Sequence, residues 1–278
     1  MTHAVLRLAL LAAMAAVPTV AAAQTKGVGM APHRAVYDLK LAQSQGRASV
    51  VSVRGRILYD FSGSACAGYD LTFRQVSELN NGEGNTTLSD LRSTTWEDGA
   101  GKSYKFQSQN FVNQRMVDDV DGVAERAGTG VTVTLTKPKT AQNSLDATVI
   151  FPTDHMARII AAAREGKSIV ELPVYDGSEK GEKVYSTLTV IGKEIAPDQR
   201  MPTDAAAGQA ELAGMKRWPV TISYFEKSKG NGEQLPVYSL SFEMYENGIS
   251  RALLLDYNDF AISGEMTSLE IKQPKPCP

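Results

Sequence analysis

The sequence predicts a mainly β fold: a long antiparallel sheet with one amphipathic helix, about residues 153–165, packed against it. From residue 33 onward, apolar and polar side chains alternate in segment after segment, which is the period of half-buried strands. Short stretches rich in Gly, Asn and Asp separate most of these segments, and links of that size join antiparallel neighbours. About a dozen strands are expected, so the sheet must curl or close to protect its edges.

The first 23 residues have the pattern of a secretory signal peptide. A short segment with Arg7 precedes an apolar run, and Ala21 and Ala23 form an A-x-A cleavage site. We expect cleavage after Ala23 and an exported protein, with an uncleaved anchor as the alternative. No later segment approaches the length of a spanning helix, so stable membrane insertion is not expected.

Two further segments follow the signal peptide. Residues 24–32 are predicted to be a flexible leader, and residues 33–278 to form a single β domain. The whole chain has 29 Lys+Arg against 31 Asp+Glu; without Arg7 the balance is 28 to 31, a net charge of −3. This mild acidity, with no basic stripe, argues against a nucleic-acid partner.

The predicted strands follow one another along the chain. In the first, Ala35, Tyr37 and Leu39 share one face, while Gly55 in the second suits a bulge or a bend. The candidate strands cover 34–42, 50–61, 69–79, 88–98, 102–112, 130–137, 145–151, 168–175, 183–195, 218–227, 236–246, 249–259 and 264–272. Turn signals between them include 80–85, 97–101, 118–122, 175–182 and 245–248.

The helix is predicted from the segment FPTDHMARIIAAAREGKS. Thr153 is the expected N-cap, Asp154 suits the positive end of the helix dipole, and Gly166 is a natural C′ residue. The residues at helical spacing on one face are Met156, Ile159, Ile160 and Ala163. A second, weaker helical stretch is expected at 203–216, where two glycines oppose it.

The two cysteines, Cys66 and Cys277, are expected to pair. Export places them in an oxidising compartment, and two cysteines allow one intramolecular connectivity. The bond would close a loop of about 210 residues and contribute up to about 5 kcal/mol. Intermolecular pairing or free thiols are the alternatives.

No catalytic or metal site is predicted, and no cofactor. The mature chain holds only His33 and His155, with no zinc-type spacing. Asp154 with His155 could form an acid–base pair, but a structural role is the favoured interpretation because no nucleophile accompanies them. The acidic runs at 118–122 and 256–260 could hold a weak calcium ion; solvated turns are favoured instead.

Several motifs together resemble the EipB family, periplasmic cell-envelope integrity proteins of alphaproteobacteria. The motifs are APHRAVYDLKL, GYDLTFRQ, FPTDHMARIIAAAREG, LPVYDGSEKGEKVY and YENGISRALLLDYNDF, in that order. The resemblance implies a periplasmic β-spiral, open and barrel-like, with a disulfide from an early cysteine to one at the extreme C-terminus. Cys66 and Cys277 occupy those places. The family is linked to envelope-stress resistance, and no catalytic residue carries over.

Two functional hypotheses follow. The first is a non-enzymatic periplasmic protein that supports envelope integrity by binding an unknown protein or envelope component. The alternative is a carrier or chaperone of lipid or lipoprotein acyl chains in an apolar cavity, which requires several hundred cubic ångströms of space. If a concavity exists, the binding surface is expected near Trp96, Tyr104, Phe106, His155, Met156 and Ile159. A hydrolase using Asp154 and His155 is a third, weaker hypothesis.

Overall fold

A computed structural model describes residues 29–45, 50–82, 84–226 and 235–277. The predicted signal peptide and the beginning of the leader lie outside these ranges. The described residues form fourteen strands and one α-helix, α1 (Pro152–Arg164). The strands are β1 (His33–Ser44), β2 (Ser52–Ser64), β3 (Gly68–Asn80), β4 (Thr86–Glu97), β5 (Ser103–Val112), β6 (Arg115–Ala127), β7 (Gly130–Lys137), β8 (Ala141–Asp146), β9 (Ile169–Val174), β10 (Tyr185–Ile191), β11 (Arg217–Glu226), β12 (Tyr238–Tyr245), β13 (Ser250–Asp256) and β14 (Phe260–Ile271).

All fourteen strands belong to one antiparallel sheet, in the order β8-β7-β6-β5-β4-β3-β2-β1-β14-β13-β12-β11-β10-β9. The first and last strands pair at its centre, so the sheet has two arms: β1 to β8, and β14 back to β9. The two edge strands are joined through α1. A single bridge links the arms there, where the Ile150 N–H donates to the Pro173 carbonyl at 2.9 Å and the Tyr175 N–H donates to the Ile150 carbonyl at 2.9 Å. The predicted mainly β, open architecture is confirmed.

The alternation that predicted the strands matches their burial. In β1, Ala35, Tyr37 and Leu39 are buried, while Arg34 and Lys40 are exposed. One face of each such strand therefore points into the curled sheet, and the apolar area removed from water there drives the curling.

Two predicted boundaries were wrong. Residues 118–122 lie inside β6 and are not a turn; Val120 is buried among apolar neighbours, so packing overrides the turn tendency of the aspartates and glycine around it. The strand predicted at 145–151 instead ends at Asp146, whose side chain accepts a hydrogen bond from the Thr148 N–H at 2.8 Å. This Asx turn redirects the chain toward α1.

Gly55 is not at a bulge, because β2 keeps a regular register with both of its neighbours there. A Cβ atom at this position would lie 2.3 Å from the Val76 carbonyl oxygen. Glycine is therefore needed for the close approach of β3 and not for an extra residue.

The start of α1 differs from the prediction. Phe151 is the N-cap, Pro152 is the first helical residue, and Thr153 lies inside the helix. The orphan N–H groups find an acceptor from another part of the chain: Thr153 N–H donates to Glu97 Oε2 at 2.6 Å and Asp154 N–H donates to Glu97 Oε1 at 2.8 Å. The helix is therefore capped by the end of β4 and not by a local side chain.

The end of α1 agrees with the prediction. Gly166 has φ +73° and donates its N–H to the Ala163 carbonyl, while Lys167 donates to the Ala162 carbonyl at 2.9 Å. This pair of bonds is a Schellman motif, which glycine allows because the left-handed backbone costs it nothing.

The apolar face of α1 packs on strands from both arms of the sheet. Ile159 and Ile160 are fully buried in one cluster with Phe61 of β2, and with Trp218 and Ile222 of β11. The helix therefore links the two arms on the inner side. Within the described residues, no helix has both the length and the apolar character needed to cross a membrane.

Residues 203–216 form two short 3-10 turns, Ala205–Gly208 and Ala210–Leu212, in place of the predicted helix. Ala206 and Leu212 are buried against β1, β2 and β14. The segment is tied to the sheet by Arg251, which contacts Asp204 at 2.8 Å.

A charged network joins Arg251 on β13, Glu243 on β12 and Arg217 on β11. Arg251 also contacts Glu243 at 2.5 Å, and Glu243 accepts from Arg217 at 2.8 Å. The Arg217 side chain is 1% exposed, and Glu243 is the carboxylate that pairs with it.

The C-terminal tail beyond β14 lies along β2 and β3. Lys272 N–H donates to the Pro32 carbonyl at 2.8 Å, and Lys275 pairs with Asp70 at 2.5 Å. Cys277 is bonded to Cys66, with their Cα atoms 5.4 Å apart. The tail is exposed, so the disulfide holds a segment that has little packing of its own.

Residues 29–32 are part of the fold and not a flexible leader. Met30 is 6% exposed and belongs to the cluster around α1. The Ala31 N–H donates to the Asn247 carbonyl at 2.8 Å.

Candidate functional site

The curled sheet encloses a cavity of about 460 Å³. Its walls come from the inner faces of β1 to β5 and β11 to β13, with the first turn of α1 and the turn after β9. The apolar and aromatic side chains in the wall are Met30, Tyr37, Ile57, Tyr59, Phe61, Leu71, Phe73, Leu91, Tyr104, Phe106, Met156, Ile222, Tyr224, Leu240, Phe242, Leu253 and Leu255. Its volume is within the range of about 300–1,000 Å³ typical of small-molecule sites.

Stacked rings stiffen one side of this cavity. His33 stacks on Tyr59 with centroids 5.3 Å apart, and Phe61 stacks on Tyr69 at 5.1 Å. These rings come from the alternating inward positions of β1, β2 and β3. Ring stacking and burial together fix these side chains in place, so this side of the cavity is preformed.

The cavity wall contains no lysine or arginine among the described residues. His33 is held by its Nδ1, 2.7 Å from the Ala31 carbonyl, and burial lowers its pKa, which favours the neutral ring. Asp176 is the one acidic side chain among the described residues of the wall.

Asp176 lies in the turn after β9. Its Oδ1 accepts from the Ser178 N–H at 2.9 Å, and its carbonyl oxygen accepts from the Tyr104 hydroxyl at 3.0 Å. Burial raises the pKa of the Asp176 carboxyl, and the Ser178 N–H opposes that rise. The carboxylate has no lysine or arginine ion pair within the described residues.

The predicted binding residues separate into two groups. Tyr104, Phe106 and Met156 line the cavity. His155 and Ile159 are buried in helix packing, 2% and 0% exposed, and do not line it. Whether the first group binds anything stays a prediction.

Trp96, expected at the binding surface, does not line the cavity, and neither does Trp218. Trp218 is buried in the cluster around α1. Trp96 is half-buried on β4, with the Lys105 ammonium 5.1 Å from its ring centroid.

Asp154 and His155 do not form an acid–base pair. The Asp154 carboxylate pairs with Arg158 at 3.0 Å on the helix surface. The His155 Nε2 lies 3.3 Å from the Thr187 hydroxyl in the interior, and burial lowers the pKa of His155 to about 4. The two groups serve different faces of α1, as adjacent residues on a helix do.

No group of three or more His, Cys, Asp or Glu side chains with metal-binding geometry occurs in the described ranges. The acidic run at 118–122 is spread along β6, whose side chains alternate between two faces of the sheet. The run at 256–260 joins β13 to β14, where the Asp256 Oδ1 accepts from the Asn258 N–H at 2.9 Å.

Sequence reasoning missed Asp176 and Glu97. Asp176 stands in a segment predicted only as a turn, and Glu97 lies at the end of a predicted strand with no role assigned to it. A usable signal existed for the cavity wall, since Tyr37 shares the apolar face of the first predicted strand. Nothing in the sequence showed that such faces would leave space between them.

Fold and cavity together define a class: an open, curled antiparallel sheet, linked across its arms by one helix, around an apolar chamber. The family model described as EipB-like matches residues 24–273, and this protein belongs to that family. The chain is 36% identical over 252 residues to the cell envelope integrity protein EipB of Brucella abortus (strain 2308), covering 90% of this chain and 88% of the relative.

A solved structure is similar as well. It is the crystal structure of a beta-barrel-like protein with a domain of unknown function, also from Brucella abortus. The TM-score is 0.80 at 35% identity, with 88% of this chain and 99% of that chain covered.

Proposed function

We propose that this protein is exported to the periplasm and supports cell-envelope integrity by holding the acyl or alkyl chain of an envelope component in its cavity. The observation that carries the proposal is the cavity of about 460 Å³ with a wall that is mostly aromatic and aliphatic. An alkyl chain leaving water for such a wall gains about 0.8 kcal/mol for each buried methylene. The similarity to an envelope integrity protein supports the cellular role.

The proposal assigns no reaction to the protein. The family's description names no catalytic activity, and the pairing of Asp154 with His155 that a hydrolase would need is not formed. A binding function requires only the formed cavity and an opening for the ligand.

The test uses the exported, disulfide-bonded mature chain. Ser108 lines the cavity from β5, so Ser108→Trp fills part of the space. Gln107→Trp is the matched control, because the neighbouring residue on a strand points to the opposite face and Gln107 is exposed. Native mass spectrometry with lipid extraction should find an alkyl-chain species with the wild type and the control, and little with Ser108→Trp.

A displacement assay with a fluorescent alkyl probe gives an independent measurement of the same cavity. Equal probe binding by Ser108→Trp and Gln107→Trp, both with wild-type melting, would overturn the proposal. Loss of binding by Ser108→Trp alone, together with failure to restore envelope-stress resistance in a deletion strain, would support it.

A second candidate is a scaffold that binds a protein partner without cargo. Ile169 and Val190 are direct partners on the edge strand β9 and on β10, and they are 60% and 48% exposed. Two results together would favour the scaffold: a protein partner that crosslinks at Ile169 or Val190, and a purified protein whose native mass is that of the chain without ligand.

A further inference from the structure

Asp176, the one acidic side chain in the described part of the cavity wall, has no lysine or arginine beside it in that wall. Protein atoms surround it on almost all sides, yet the residue is not fully buried. Asp176 contributes to the lining of the cavity. A carboxylate in such a place is costly unless it receives hydrogen bonds or a counter-charge.

The donors close to the Asp176 carboxyl are neutral and come from its own turn: the Asp176 and Ser178 N–H groups and the Ser178 hydroxyl. One carboxyl oxygen of Asp176 accepts from the Ser178 N–H. The nearby Tyr104 hydroxyl donates to the main-chain carbonyl of Asp176 and not to its side chain. The Ser178 hydroxyl also lines the cavity; it is buried and makes no hydrogen bond of good geometry within the described part of the chain. Two polar side chains therefore stand together in an apolar wall with unused hydrogen-bonding capacity.

Asp176 lies near tyrosines of both arms of the sheet. Burial first, and then the Asp176 charge, raises the pKa of Tyr104 on β5 and of Tyr224 on β11. Both phenols line the cavity. An ionised Asp176 would therefore affect phenols on both arms of the sheet and not only its own turn.

We propose that the cavity selects amphiphiles with an ammonium head group, and that Asp176 binds that head while the apolar wall holds the alkyl chain. An ammonium donates three hydrogen bonds and supplies the missing counter-charge. An anionic head would meet the Asp176 carboxylate with no lysine or arginine in the described wall to offset the repulsion. This inference rests on the proposed function, since it needs an alkyl chain in the cavity.

The test compares three probes with the same chain: dodecylammonium, dodecanol and dodecanoate, each titrated calorimetrically below its micelle concentration. We expect dodecylammonium to bind at least about tenfold more tightly than dodecanoate, the size of one charge-assisted hydrogen bond. Asp176→Asn should remove that preference, since it keeps the oxygen that accepts from Ser178 N–H and removes the charge.

Asp256→Asn is the matched control. Asp256 forms the same kind of turn, accepting from the Asn258 N–H at 2.9 Å, but it is exposed and outside the cavity wall. It should retain the wild-type preference, and both variants should melt like the wild type. If Asp176→Asn lowers the melting temperature, the ratio of the three affinities within that variant still reports head-group selection.

The outcomes separate the two proposals. Binding of all three probes with equal affinity, or an unchanged preference in Asp176→Asn, overturns ammonium selection and leaves the alkyl-binding cavity in place. Failure of every probe to bind, with wild-type folding, overturns both.

Discussion

The Glu97 carboxylate caps α1 from a distant strand, and its removal gives a sharp test of how the helix is held. Glu97 is 2% exposed and accepts from the Thr153 and Asp154 N–H groups at 2.6 and 2.8 Å. In Glu97→Ala both N–H groups lose their acceptor, and a lost cap costs about 0.5–2 kcal/mol while a buried unsatisfied donor costs about 1–3 kcal/mol. We expect Glu97→Ala to lower the free energy of unfolding by about 2–4 kcal/mol.

The pH dependence of stability tests the same carboxylate independently. Burial raises the pKa of Glu97 from its ordinary 4.5 to about 7, although the Thr153 and Asp154 N–H groups oppose the rise. Because the folded-state pKa is raised, the resulting stabilisation is fully present below pH 4.5 and is lost as pH rises through about 7. The difference corresponds to about 3 kcal/mol.

Glu97→Gln keeps the shape of the side chain and cannot titrate. Urea unfolding at pH 4.5 and above pH 7 should therefore show the advantage of the wild type over Glu97→Gln shrinking by about 3 kcal/mol. Glu270→Gln, on the exposed side of β14, is the matched control and should leave the wild-type pH dependence unchanged. An advantage that is constant with pH would refute the titration argument, and a fully stable Glu97→Ala would refute the capping argument.

Two further predictions concern the tail and the charged network. Cys277→Ser should lower the melting temperature by at least about 5 °C and expose the tail to protease, because the bond to Cys66 holds a poorly packed segment. Reduction of the wild type should lower its melting temperature by the same amount, and reduction of Cys277→Ser should cause no further change. An unchanged melting temperature of the wild type after reduction would contradict the prediction. Glu243→Gln should cost about 3 kcal/mol, since it leaves the buried Arg217 without its carboxylate. Burial alone would raise the pKa of Glu243, but its arginine partners outweigh burial and lower the pKa. The wild type should therefore lose this stabilisation as pH falls below 4.5. An equal loss of stability in acid by Glu243→Gln would contradict this prediction.

Local patterns determined most of the elements. The two-residue period placed Ala35, Tyr37 and Leu39 on one face of β1, and the helical period with Gly166 placed the body and end of α1. These features depend on neighbours within a few residues, so the sequence contains them directly. The pairing of Cys66 with Cys277 could also be reasoned out, because two cysteines allow one intramolecular bond.

The local signal failed where tertiary packing competes with it. Val120 sits in a run that reads as a turn and is buried in β6, and Thr153 reads as an N-cap while Glu97 from β4 does the capping. The capping acceptor lies 56 residues away in the sequence, so no local pattern around Thr153 indicates it. Propensity is a weak preference of about 1 kcal/mol per residue, and burial of a core side chain exceeds it.

The sequence by itself determined that this protein is a chain of antiparallel strands with one helix and a terminal cysteine that can be bonded. Only the tertiary structure decided that the first and last strands pair at the centre of the sheet, and that the two arms curl around an open space with Asp176 in its wall. Alternation shows which side chains point inward. Whether the inward faces meet or stand apart depends on the curvature of the whole sheet, because a cavity is a property of strands far apart in sequence.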